Sequence, residues 1–440
     1  MGIRQPSRRS VLKKLAAVSA AGVAGPLISS CASGPAETLA SVDDLGGAAL
    51  EAVMRGSFIP QLDAITVDVG RRWEERRNAS IEIVLHEEWR TLTAQVIADG
   101  QGADIADLFG NEPHLYAEHL VDVSDLAERV GDSLGGWSED ARAVCMVDGV
   151  WRAVPWSTTR HAMVVRTDLV AEVGKEVPQT YDDLLEVAVL LSEAGAPPVG
   201  FTMAEAGSSD ASALAYGMLW SFGGQELSDD GRVALNSAAT IASLEYFAEL
   251  SRVNAVEALS YGHPDNNNAY LGGDIAITQN PPSIYLRALE TDPALAEMTI
   301  HSPLPEGPAG QFQLPEIDSL AVFRHSSDPV AAKDWIEFAS QGSVLVDRAR
   351  ESLAFHAPAV LGLDDDPEMP WNTDERLLGL SSMAAEGRMP GWPLRPGLEA
   401  GLVYDNASIL NMFRSVGTGD LTPRESVAAA TEELRRVYET

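Results

Sequence analysis

Ala48-Ala49-Leu50-Glu51-Ala52-Val53-Met54, Ile81-Glu82-Ile83-Val84-Leu85 and Ile105-Ala106-Asp107-Leu108-Phe109 are three short apolar runs with the length of β-strands. Between the first two, Leu62, Ile65, Val69 and Trp73 fall at helical spacing from Pro60 to Arg77. Between the last two, Thr91 to Ala98 reads as a helix closed by Gly100. Strand, helix, strand, helix, strand is the order of a parallel sheet with helices on both faces.

A second run of the same kind follows. Met163-Val164-Val165 reads as a strand, and Thr180-Tyr181-Asp182-Asp183 opens a helix with an N-cap and an acid three residues on. Pro198-Val199-Gly200-Phe201 reads as a strand leading to a helix from Ser212 to Phe222. Ser237 caps a helix to Leu250, and Ile275-Ala276-Ile277-Thr278 is a further strand. From Trp371 onward the chain is mostly helical, and Thr422-Pro423-Arg424-Glu425 starts the last helix with Pro at its first position. Two α/β lobes joined by a short link are expected, which suits 440 residues. Ligands of such sheets bind beyond the carboxyl ends of the strands, so two facing lobes make one cleft.

The charge balance is lopsided, 31 Lys and Arg against 65 Asp and Glu, for a net −34. A nucleic-acid binder needs a basic face to meet phosphate, and anionic lipid needs one too, so both partners are excluded as electrostatic targets. Lysine is confined to Lys13, Lys14, Lys175 and Lys333. A saline habitat and a GC-rich coding bias both account for that scarcity. With only Cys31 and Cys145, neither a disulfide framework nor a cysteine-rich metal site exists.

The N-terminus reads as an address. Ser7-Arg8-Arg9-Ser10-Val11-Leu12-Lys13 precedes a mild apolar run from Leu15 to Ile28, which is shorter than the ~20 residues a spanning helix takes. The pattern resembles a twin-arginine signal built on Arg8 and Arg9, with Val11 where Phe is commoner. Ile28-Ser29-Ser30-Cys31 resembles a lipobox, which implies that Cys31 is lipidated and becomes the new N-terminus. Residues 1–30 are then the signal peptide and 31–45 a small, polar tether. The mature chain has 26 positive against 65 negative groups, or −39, and Cys145 is its free thiol, expected in the core.

No catalytic signature is present. His86-Glu87-Glu88-Trp89-Arg90 lacks the second His of H-E-x-x-H, and there is no G-x-S-x-G elbow, P-loop or G-x-G-x-x-G. The eight histidines never pair at helical ligand spacing and are read as surface or loop residues. Asp229-Asp230 and Asp364-Asp365-Asp366 lack a calcium-loop pattern and are read as solvated turns. No cofactor and no metal is implied.

Ordered landmarks resemble the extracellular solute-binding proteins of ABC importers, the broad family that contains maltose-binding protein. Arg72-Trp73-Glu74-Glu75 is similar to the end of the family's first helix, and Ala98-Asp99-Gly100-Gln101-Gly102-Ala103-Asp104-Ile105 to its G-x-x-P-D segment, with Ala103 in place of Pro. Asp148-Gly149-Val150-Trp151-Arg152-Ala153-Val154-Pro155 is similar to the hairpin before the first crossover, and Thr167-Asp168-Leu169 to the motif after it. Val177-Pro178-Gln179-Thr180-Tyr181-Asp182-Asp183, Tyr270-Leu271-Gly272-Gly273-Asp274-Ile275-Ala276-Ile277 and Ala331-Ala332-Lys333-Asp334-Trp335-Ile336-Glu337-Phe338 follow in order. The resemblance implies a two-lobe periplasmic-binding-protein fold of type II kind, each lobe a sheet flanked by helices, with the ligand cleft between them. It places 46–157 and 304–348 in the N-terminal lobe and 158–303 and 349–440 in the C-terminal lobe.

The same resemblance implies a clamp that performs no chemistry on its ligand: the lobes close by hinge motion and the closed form docks on membrane permease subunits. The expected ligand is a sugar, polyol or glycoside. The expected protein is a monomer outside the cytoplasm, held to the membrane by its lipid alone. Candidate contacts are Glu88 and Trp89 after the second strand, Asn111 and Glu112 after the third, Trp156 and Thr159 at the crossover, and Glu205 and Ser208 in the second lobe. Asn280, Glu316, Asp318, Trp392 and Arg395 complete the set. Ser283 stands where relatives often have a Trp, which removes one sugar-stacking plate. Glu88, Glu112, Glu205 and Glu316 favour, as the alternative, a cationic ligand such as a polyamine, and paired carboxylates leave a secreted carbohydrate-active enzyme as the rival of another class.

Overall fold

A computed structural model describes residues 45–203, 209–262, 265–381, 386–394 and 396–439. Arg8, Arg9, Cys31, Glu205, Ser208 and Arg395 lie outside the described residues. In chain order the strands are β1 (Ala49–Arg55), β2 (Ser80–His86), β3 (Ile105–Phe109), β4 (Met146–Val147), β5 (Val150–Trp151), β6 (Val154–Thr159), β7 (Ala162–Arg166), β8 (Ile277–Asn280), β9 (Thr299–Ser302), β10 (Phe312–Gln313), β11 (Glu316–Val322) and β12 (Glu386–Gly387).

Five of them form the first sheet in the order β2-β1-β3-β11-β6. β1 runs parallel to β2 and β3, as the opening stretch predicts, and Ala49 to Arg55 register with Ser80 to His86. The expectation of a parallel sheet throughout is corrected by β11, which inserts antiparallel to both β3 and β6. The second sheet, β8-β7-β9, is antiparallel at both junctions. Pro198–Phe201, expected as a strand, is instead an extended segment held by isolated bridges from Val199 to Asn254 and Ile277.

Helices cover the sheets where apolar spacing demands it. Pro60–Arg77 buries Leu62, Val69 and Trp73, and the Trp73 indole and the Arg77 guanidinium both bond Asp334 (2.6 and 2.9 Å), which joins this helix to Pro329–Ala339. Thr180 and Asp183 form the predicted capping box of the helix Tyr181–Ala194, and Thr422 and Glu425 do the same for Pro423–Tyr438. Cys145 is fully buried in the first core, where loss of water pushes its thiol up to about 12.

The chain leaves the first sheet at Thr159, enters the second at Ala162, and returns from Ser302 to Glu316. Arg160 and His161 are therefore the first crossing. A later stretch also touches the first sheet's side: Ala357 bridges Thr158, and Val360 bridges Trp137.

Candidate ligand-binding cleft

The carboxyl end of β3 opens into a cleft faced by the helices Ser209–Ser221 and Leu398–Asp405. One wall is Arg90, Phe109, Gly110, Asn111, Glu112 and Leu115; the facing wall is Ser209, Ala213, Met389, Pro390 and the helix Leu398–Asp405; Leu314, Pro315 and Glu316 form the floor. The space amounts to about 680 Å³, part of it open to solvent.

Glu112 begins a short helix directly after β3, and its carboxylate turns back to accept from the Phe109 N–H (2.8 Å) and the Arg90 guanidinium (2.7 Å). Burial raises this carboxyl above its ordinary value, an effect that Arg90 partly offsets. Glu316, the first residue of β11, faces His161 Nε2 at 3.3 Å. His161 Nδ1 lies 3.9 Å from Asp210, in the first turn of the helix Ser209–Ser221. This fully buried imidazole thus stands between a carboxylate of each sheet's layer, at the crossing itself. Burial pushes His161 towards neutrality, but the bond to Glu316 and the charge of Asp210 outweigh it and raise its pKa. Burial likewise works against the Glu316 carboxylate, yet His161 and Arg55 hold it below its usual range. Asn111 has no capping bond, and both polar atoms of its amide are out of water without a partner. A buried, unpaired amide costs on the order of 1–3 kcal/mol.

The remaining sequence candidates lie elsewhere. Glu88 is exposed at the start of the helix Trp89–Asp99. Trp89 is half-buried beneath the Arg55 guanidinium, 5.1 Å from its ring centroid. Trp156 is packed inside the first lobe, donating to Ala339 O (3.1 Å) with Arg348 3.7 Å above its ring. Thr159 is fully buried and donates to Phe355 O. Asp318 sits one pleat deeper than Glu316, held by Arg55 (3.4 Å), Ser157 (3.1 Å) and His356 (3.3 Å). Burial opposes its charge, but Arg55 first and then His356 bring its carboxyl down to about 2. Asn280 spends its amide on Asp210 and Asn267 within the second layer. Trp392 is half-buried with the Arg388 guanidinium 3.7 Å above its ring, outside the cleft lining. His161, His301 and His356, read as surface or loop histidines, are fully or nearly fully buried, so that reading is corrected.

The cleft also contains residues that the sequence reading passed over: Arg90, Phe109, Leu115, Met389, Leu398, Leu402, Tyr404 and Asp405. Leu398 and Leu402 stand four apart on one helix, the one local signal that could have marked that wall.

The family model for bacterial extracellular solute-binding proteins matches residues 60–341. The chain belongs to that family. Solute-binding proteins of this kind hold a ligand and do not transform it, which sets the enzyme rival aside. Among curated solute-binding relatives, a probable ABC transporter-binding protein of Deinococcus radiodurans is 24% identical over 273 residues. That match takes in 58% of this chain and 62% of the relative, so the chain spans about three fifths of the relative's length. Among solved structures, maltose-bound MalE3 of T. maritima superposes with a TM-score of 0.73 at 21% identity, over 89% of this chain and 100% of the other. A sugar transporter from Arthrobacter chlorophenolicus with bound laminaribiose gives 0.73 at 15% identity, over 89% and 99%. Both establish the shared two-lobe fold.

Proposed function

We propose that the protein is the lipid-anchored substrate-binding component of an ABC importer, that it captures a neutral sugar, polyol or glycoside by hinge closure, and that it hands this ligand to a membrane permease. The observation that carries the neutral ligand is the pairing of the cleft acids. Glu112 pairs with Arg90, which also reaches Asp405 (3.8 Å), and Glu316 pairs with His161, so each of these cleft acids already has a cationic partner before a polyamine could arrive. Relatives described with maltose and laminaribiose support a sugar. The proposed lobes are 46–157 with 304–348 and 158–303 with 349–440; the passage between sheets at Arg160 and His161 supports the first of these boundaries to within a few residues. Asn111, Glu112 and Glu316 are the sequence candidates proposed to face ligand.

Anchoring through Cys31 and export through Arg8 and Arg9 belong to the same proposal. Among the described residues no helix is long and apolar enough to cross a membrane. Cys31→Ala should release the protein from the membrane fraction, and an unchanged distribution would remove the lipid anchor. Replacing Arg8 and Arg9 by Lys should hold the precursor inside the cell.

The ligand class is tested by titration calorimetry with a sugar and polyamine panel at low and high salt. Affinity for a neutral sugar should change little with salt. Tight polyamine binding that weakens steeply as salt screens it would replace the sugar with a cation.

A further inference from the structure

The mouth of the cleft breaks the usual rule for helix faces. In Leu398–Asp405, Ala400 and Val403 are buried, while Leu398, Gly401, Leu402 and Asp405 turn to the cleft at helical spacing. Leu398 and Leu402 remain 46% and 43% exposed, and Leu115, on the opposite wall, is 43% exposed. Three large aliphatic side chains from the two walls therefore line one cleft, and each keeps nearly half its surface exposed. Deeper in, the lining becomes polar, with the unpartnered Asn111 amide and the paired Glu112 and Glu316. Among the described residues no tryptophan lines this cleft, and its aromatic side chains are Phe109 and Tyr404. A bare sugar could bond Asn111 but offers no apolar group to these leucines.

We infer that the ligand is an amphiphilic glycoside, its sugar on Asn111 and an apolar alkyl or aryl aglycone gripped between Leu115 and the Leu398–Leu402 pair. This inference rests on the sugar-binding reading and narrows it. Closure then buries aliphatic surface of the aglycone and of these leucines, a gain that grows with each methylene covered.

The test is calorimetry with methyl and octyl glucosides and maltosides, each below its micelle concentration. It uses the wild-type chain, the double variant Leu398→Gln/Leu402→Gln and, on the other wall, Leu115→Gln. Because these leucines are exposed, melting temperatures should stay close to wild type. Octyl glycosides should bind wild type about tenfold or more tighter than their methyl counterparts, which corresponds to partial burial of a few methylenes. The double variant should bring that ratio to about one to threefold, the octyl glycosides losing more affinity than the methyl ones, and Leu115→Gln should lower the ratio too. Methyl and octyl glycosides binding equally to wild type overturns the inference and leaves the sugar reading standing, as does a ratio that survives in all variants. Failure of every glycoside to bind overturns the sugar reading and this inference together.

Discussion

Asn111 and Asp318 are both polar residues out of water, but they differ in what they await. The Asn111 amide has no partner, so Asn111→Ala should cost ligand roughly 2- to 12-fold in affinity, one net hydrogen bond, while raising the melting temperature of the free protein, because an unsatisfied buried amide is removed. Asp318 already binds Arg55, Ser157 and His356, so Asp318→Ala should lower stability by about 3 kcal/mol, read as a lower urea midpoint. The same pair shows what sequence makes legible. Asn111 was within reach because a residue just past a strand's carboxyl end sits at a cleft by topology. Asp318 is hard to place from sequence because it shares Glu316's face of β11, two residues on, and only the folded chain brings Arg55, Ser157 and His356 around it one pleat further in. Trp89 and Trp156 mislead for a related reason: an indole suits a sugar and a core equally, and here arginines cover both rings.

At the scale of elements, β1 to β3 were legible because their apolar runs are bracketed by helical spacing and by Gly100, whose φ of 61° closes a helix. β6 and β11 were not. Both are buried along their whole length, yet Ser157, Thr158, Thr159, Glu316, Asp318 and Ser319 interrupt the apolar pattern that marks a buried strand. The second wall of the cleft was hidden because its segments meet only in the folded chain. Glu226 shows how that wall is fixed: its buried carboxyl accepts from the Gly391 N–H and from the Tyr216 hydroxyl (3.2 Å), and so holds the segment that carries Met389 and Pro390. Burial raises this carboxyl from 4.5 to about 7. The folded state therefore holds a proton that the unfolded chain releases, and the associated stability is full below pH 4.5 and fades as pH rises through about 7. Relative to Glu226→Gln, the wild-type protein should lose on the order of 3 kcal/mol between those limits, measured by denaturant unfolding across pH. Parallel stability curves for the two proteins would contradict this.

For the molecule as a whole, the two sheets and their crossings predict a change of shape. Addition of a bound sugar should lower the radius of gyration measured by X-ray scattering, and tight binding without compaction would remove the hinge mechanism. The −34 chain also repels itself, so raising salt from roughly 0.1 to 1 M should raise its melting temperature by screening that repulsion. The position of β11 has a different consequence, in the order of synthesis. It lies between β3 and β6, in the interior of a sheet whose other strands are all complete by Thr159, yet it leaves the ribosome only after every strand of the second sheet. Until Val322 has emerged, a nascent chain carries β3 and β6 as raw edges, the kind that pair with neighbouring chains. The half of the molecule made first is thus finished late, and a ribosome stalled between Ser302 and Glu316 would leave a product that has its second sheet and lacks the keystone of its first.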